Sequence, residues 1–135
     1  MDIKSIKEEL SSITLLYVED NCDLREKNIE IFSYLFKSVK SATNGYEGLE
    51  IYKSFEIDLV ITDLNMPIMS GIEMLKRIKR LNRNQKSIVY SAYSEFEYYS
   101  KLKEINVDKF IKKPISCNIF LEEILNVVGK DYIRA

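Results

Sequence analysis

Glu19, Asp20, Asp63, Ser91 and Lys113 are the residues of this sequence whose types could combine into chemistry. Three carboxylates brought together repel one another unless a cation shares the site. With oxygen donors only, the natural candidate is Mg2+, which takes one or two carboxylates and completes its shell with water and phosphate oxygens. A carboxylate beside such an ion and a lysine can attack phosphorus as an aspartyl nucleophile. Lysine and metal would then meet the charge on the equatorial oxygens, and Ser91 would hydrogen-bond one of them. The chain contains no histidine. Imidazole bases, Ser-His-Asp or Cys-His nucleophiles and histidine zinc sites are therefore excluded, and two cysteines alone make a poor zinc site.

Taken singly, each of these residues has an ordinary explanation. An acidic pair after a strand is usually a helix cap or a solvated loop. Asp63 opens Asp-Leu-Asn-Met-Pro, a run of turn formers. A lone serine or a Lys-Pro pair carries no information. Their meaning depends on the elements that place them.

Those elements alternate. Four short apolar runs, ITLLYV (13–18), DLVITD (58–63), SIVYSA (87–92) and VDKFI (107–111), are rich in Val and Ile without strict alternation, as strands buried on both faces are. A more polar run, SVKSAT (38–43), suits a sheet edge. Helical spacing fills the intervals. Asn21 caps a helix carrying Leu24, Asn28, Ile31 and Leu35, and Asn44-Gly45 opens one carrying Leu49 and Tyr52. Gly71 precedes Ile72, Leu75, Ile78 and Leu81; Phe96, Tyr99, Leu102 and Ile105 repeat the period; Ser116 caps a helix with Phe120, Ile124 and Val127 or Val128 inward. Strand then helix, five times over, predicts an α/β fold: a three-layer, doubly wound, five-stranded parallel sheet in the flavodoxin-like order 2-1-3-4-5. In such sheets ligands bind at the carboxyl ends of the strands. Glu19-Asp20 ends the first strand, Asp63 the third and Ser91 the fourth, and Lys113-Pro114 follows the fifth. The five groups converge on one rim, which chance explains poorly.

Length and composition bound the rest. A chain of 135 residues fits one domain, and 46% hydrophobic with 30% charged residues is ordinary for a globular protein. A net charge of −1 gives no overall field favouring nucleic acid or an anionic membrane. The first residues, MDIKSIKEELSSI, lack the apolar run of a signal peptide, and no stretch is long enough to span a bilayer. Two distant cysteines point to reduced thiols and a cytoplasmic location. Residues 1–12 read as an N-terminal extension, 13–130 as the domain and 131–135 as a C-terminal tail. The basic segment 76–86 reads as a solvated helix face. Of the aromatic group Phe96, Tyr98 and Tyr99, the helical stripe leaves Tyr98 as the one expected to be exposed.

From 13 to 128 the sequence resembles the receiver domain of bacterial response regulators, most specifically in VITDLNMPIMSG (60–71), with VYSA and FIKKP at fitting distances. The resemblance implies that Asp63 is the phosphoacceptor. It makes Glu19 and Asp20 the acidic pair at Mg2+, with Asp20 the direct ligand, and the backbone carbonyl of Asn65 a further ligand. Ser91 takes the hydroxyl position that moves toward the phosphoryl group, Lys113 the lysine position, and Phe110 the aromatic switch position. The Lys113-Pro114 peptide is expected to be cis. Tyr93 and Asn65 flank the place an attacking water would occupy.

The implied function is a phosphoacceptor switch in two-component signalling. A sensor histidine kinase or phosphotransfer protein loads Asp63. The surface made by the helix at 96–105, the fifth strand and the helix at 116–128 is then read by a downstream protein or output domain. The domain is expected to signal rather than catalyse, with weak self-dephosphorylation at most. It would act as a monomer or a phosphorylation-dependent dimer, without direct nucleic-acid or membrane binding. The competing class is a pseudo-receiver that signals by interaction alone, which loss of the acidic pair, aspartate or lysine would favour; all are present. A metal-dependent phosphatase would want a second acid beside the nucleophile, where Leu64 and Asn65 offer none.

Overall fold

The apolar runs form strands because they are sandwiched. A computed structural model describes residues 2–129; the tail at 131–135 lies outside the described residues. Five parallel strands, β1 (Thr14–Val18), β2 (Ser38–Ala42), β3 (Leu59–Thr62), β4 (Lys86–Ser91) and β5 (Lys109–Lys112), stand in the order β2-β1-β3-β4-β5. Register runs Leu15↔Leu59 and Leu15↔Val39 on the two sides of β1, and Ile88↔Lys109 at the far edge. This is the expected flavodoxin-like order, with the polar β2 at an edge.

Alternate residues of each strand feed two cores. Leu15, Tyr17, Leu59, Ile61, Ile88, Tyr90 and Ile111 point to one face. There they meet α1 (Ile3–Leu10), α2 (Cys22–Leu35) and α6 (Cys117–Val128). Leu16, Val18, Val60 and Val89 point to the other, against α3 (Gly45–Ser54), α4 (Gly71–Leu81) and α5 (Tyr99–Ile105). Burial on both faces is why these strands read as unbroken apolar runs. On the first face Phe32 meets Tyr17, Phe36 and Phe120 edge to face, the favoured aromatic geometry.

Four of the helices, α2, α3, α4 and α6, start at the rim with a capping side chain. Asn21, Asn44, Ser70 and Ser116 accept a hydrogen bond from the backbone N–H three residues on. The N-terminal residues are part of the core: Asp2 caps α1, and Ile6 and Leu10 are buried against the α2 and α6 side.

Three expectations about helix faces are corrected. Leu81, the last step of the Ile72–Leu75–Ile78 series, is 59% exposed because α4 ends there, while Met74 is fully buried. Phe96 (89% exposed) and Tyr99 are outside the core, and Tyr98 is half-buried. The segment is a 3₁₀ turn, Glu95–Tyr98, followed by α5, so the period of 3.6 assumed across it is interrupted. Only Leu102 and Ile105 reach the core.

The buried phenol of Tyr17 accepts a hydrogen bond from Asn28 Nδ2 at 2.8 Å. Burial pushes this phenol well above its ordinary value of 10.0; the Asn28 bond works against the shift and the Glu19 charge with it. The folded state therefore holds the proton more tightly than the unfolded chain does. That stabilisation is complete below about pH 10 and is lost as pH rises from there toward the folded value. Thermal melts across this range should fall less steeply for Tyr17→Phe than for the wild type.

Candidate functional site

The carboxyl ends of β1, β3 and β5 bring Glu19, Asp20, Asp63 and Lys113 together as expected. The three carboxylates offer oxygens that all lie within 4.8 Å of one another. Lys113 Nζ bridges two of them, 2.8 Å from Glu19 Oε1 and 2.8 Å from Asp63 Oδ2. The second oxygen of Glu19 accepts from the Asn21 N–H at 3.2 Å, and Asp63 Oδ1 accepts from the Leu64 N–H at 2.6 Å. Asp20 is exposed, and among the described residues its carboxylate has no ion pair.

Charge in this cluster is unbalanced. Three carboxylates face one ammonium, and the Glu19 side chain is only 1% exposed. Burial pushes the Glu19 carboxyl above the ordinary carboxylate range, with Lys113 pulling it back. For Lys113, burial pulls downward, but the bonds to Asp63 and Glu19 outweigh it, so the ammonium is held above 10.5. An all-oxygen donor set with excess negative charge and an exposed Asp20 suits a hard divalent cation.

Two loops frame the cluster. After β3 the chain turns so that the Gly71 N–H donates to the Leu64 carbonyl at 2.8 Å. A Cβ on Gly71 would stand 1.9 Å from the Asp63 carbonyl oxygen. Gly71→Ala must therefore push α4 away from the end of β3. We expect a loss of about 2–3 kcal/mol in urea melts, the upper range for overpacking, with a Gly71→Ser variant no better. In the same loop Ile68 is 82% exposed at φ 71°, a left-handed conformation that costs a residue with a Cβ roughly 1–2 kcal/mol.

At the end of β4, Ser91 is fully buried, its Oγ accepting from the Tyr93 N–H at 3.2 Å and its carbonyl from the Lys113 N–H at 2.8 Å. The Lys113-Pro114 peptide is cis. Phe110 is half-buried beside the α5 core. It lines a cleft of about 350 Å³ with Tyr99, Leu102 and Val107. Asn65 is on the rim, its side chain bonded to Tyr98.

Sequence reasoning missed two participants. Arg25 Nη1 donates to the Glu19 carbonyl at 2.8 Å and more distantly to that of Asp20 at 3.4 Å, fixing the loop that carries the acidic pair. Its position one turn into the helix capped by Asn21 is the signal that could have found it. Tyr98, expected from the helical stripe to be exposed, is half-buried and touches the site through Asn65. Cys22 and Cys117, at the starts of α2 and α6, are exposed free thiols.

A family profile described as response regulator receiver domain matches residues 15–125. The chain belongs to the response regulator receiver domain family. The receiver is 32% identical over 116 residues to sporulation initiation phosphotransferase F of Bacillus subtilis, covering 86% of this chain and 90% of that protein. Among solved structures it resembles the N-terminal domain of an uncharacterized protein from Wolinella succinogenes, 36% identical, TM-score 0.79, covering 91% and 95% of the two chains. It also resembles the response regulator protein TrrA of Thermotoga maritima in complex with Mg2+-BeF, 29% identical, TM-score 0.75, covering 85% and 98%. Receivers are signalling domains, and among the described residues no helix of this one is long and apolar enough to cross a membrane.

Proposed function

We propose that this receiver accepts a phosphoryl group on Asp63 from a partner's phosphohistidine and works as a cytoplasmic two-component switch. The observation that carries the reading is the bridge from Lys113 Nζ to both Asp63 and Glu19 inside a three-carboxylate cluster. A pseudo-receiver would have no use for that arrangement, whose excess charge opposes folding.

In this reading Asp20, Asp63 and the Asn65 carbonyl would hold Mg2+, with Glu19 the other member of the acidic pair. When bound, the ion neutralises phosphoryl oxygens and the repulsion between carboxylates. Asp63 Oδ2 is the attacking oxygen. Lys113 orients that carboxylate, then follows the charge onto the transferred group. The Leu64 N–H on the other Asp63 oxygen fixes the carboxylate plane, and Arg25 holds the Glu19-Asp20 backbone in place.

The transferred group adds about −2 of charge at the rim. Ser91 Oγ, now accepting from the Tyr93 N–H, turns to donate to a phosphoryl oxygen. Phe110 moves into the space released, and the α5–β5–α6 surface changes shape. The cleft that Phe110 lines lies on that surface, where a downstream partner reads the state. The phosphoryl group biases an equilibrium between two packings. Nothing in this scheme requires the domain to be an enzyme in its own right.

Intact-mass measurement after incubation with acetyl phosphate and Mg2+ tests the reading. A single phosphoryl adduct, lost when EDTA replaces the metal, is expected. Absence of an adduct together with no response to beryllofluoride would hand the fold to the pseudo-receiver alternative.

A further inference from the structure

We propose that Tyr98 is a positioning residue for hydrolysis of phosphorylated Asp63, acting through the Asn65 carboxamide; this rests on the phosphoacceptor reading above. The two residues come from the loops on either side of the site. Asn65 follows Asp63 by two positions, and Tyr98 closes the 3₁₀ turn after β4. The Tyr98 hydroxyl meets both ends of the amide, accepting from Asn65 Nδ2 at 3.1 Å and lying within donating reach of Oδ1 at 3.4 Å. A phenol has one proton to give, so the amide occupies it in either orientation.

The phenol is the fixed partner of the pair. Its ring is half-buried against the core beneath α3, α4 and α5, and Tyr93 meets it edge-on at 5.7 Å between centroids. The turn carrying it is locked by a Ser94–Glu97 capping box. Asn65, by contrast, is exposed. The tether therefore holds the amide to the α5 side of the rim. Tyr93 links the same pair to the switch, because its N–H is the donor to Ser91 Oγ.

Loss of the phosphoryl group is attack of a water oxygen on phosphorus. The bond from phosphorus to the Asp63 oxygen breaks, its electron pair stays with the carboxylate, and a water proton passes to the phosphate or to solvent. A carboxamide two residues from the phosphoaspartate is the side chain placed to orient that water. Tied to Tyr98, it is withheld from the task. The tether lengthens the phosphorylated state, and removing the hydroxyl shortens it.

Wild type, Tyr98→Phe, Asn65→Ala and the double variant are loaded with acetyl phosphate and Mg2+, freed of donor, and followed by intact mass as the adduct decays. Tyr98→Phe keeps the ring and its packing. We expect it to lose the adduct about three- to tenfold faster, the factor equivalent to one net hydrogen bond. The double variant should decay at the Asn65→Ala rate, because the freed amide is the agent of the acceleration. A merely structural role for Tyr98 would not make its effect depend on the Asn65 amide. Decay of Tyr98→Phe at the wild-type rate would overturn the proposal, as would an acceleration that persists in the double variant. No adduct on the wild type would overturn the phosphoacceptor reading and this inference with it, so the two failures are told apart.

Discussion

Asp63→Asn is expected to take up no phosphoryl group from acetyl phosphate while remaining folded. The substitution keeps the shape of the side chain. Its amide oxygen can still accept from the Leu64 N–H, which leaves the NH2 toward Lys113, and Lys113 keeps Glu19 as its ion-pair partner. What is lost is the nucleophile, since a neutral amide cannot form the acyl phosphate. One negative charge also leaves a cluster in which three carboxylates face one ammonium. The melting temperature without metal should therefore be no lower than that of the wild type. Intact mass and a thermal melt on one sample decide the matter. A stable adduct on this variant would move the phosphoacceptor elsewhere, and a collapsed melt would make Asp63 structural.

Lys113→Met should cost both stability and chemistry. It leaves Glu19, at 1% side-chain exposure, and Asp63 without their shared ammonium. Breaking a buried pair from one side costs about 3–5 kcal/mol, and we expect the lower figure because the partly exposed Asp63 retains some solvation. Glu19, already pushed up by burial, loses the lysine that pulls it back, so its folded value rises further. A carboxyl raised in the folded state binds its proton more tightly there than in the unfolded chain. The deficit is then largest above the raised value and shrinks as pH falls through it. Urea melts at pH 5 and pH 7 should show the variant closer to the wild type at the lower pH. Adduct formation should slow by roughly 10²–10³, the usual cost of removing one preorganised charge-stabilising group. Equal loading rates would remove Lys113 from the chemistry.

The fold and the residues that meet at the rim were legible because their signals are local. Continuous apolar runs report burial on both faces, and Asn21, Asn44, Ser70 and Ser116 mark where helices start. Given parallel strands, the convergence of Glu19, Asp20, Asp63 and Lys113 follows from topology alone. The segment after β4 was misread because a capped 3₁₀ turn replaces the first turn of the helix. A periodicity argument cannot register that change, and it moved Phe96 and Tyr99 outward and Tyr98 inward. Arg25 and the Tyr98–Asn65 bond were invisible for another reason. Both depend on the reach of one side chain across a loop, which residue spacing does not encode.

The strand order bears on how the molecule comes to exist. Among the described residues no two strands are joined by a hairpin: Leu15 pairs with Leu59 across α2, β2 and α3, and Ile88 with Lys109 across α5. Every ladder must close a long loop before its contacts repay the lost entropy, a topology that folds more slowly than one of local contacts. The lysine–glutamate bridge spans a separation of 94 residues and needs β1, β3, β4 and β5 side by side. On the phosphoacceptor reading, a nascent or partly unravelled chain lacks the assembled site around Asp63, and competence to carry the signal arrives only with completion of the sheet.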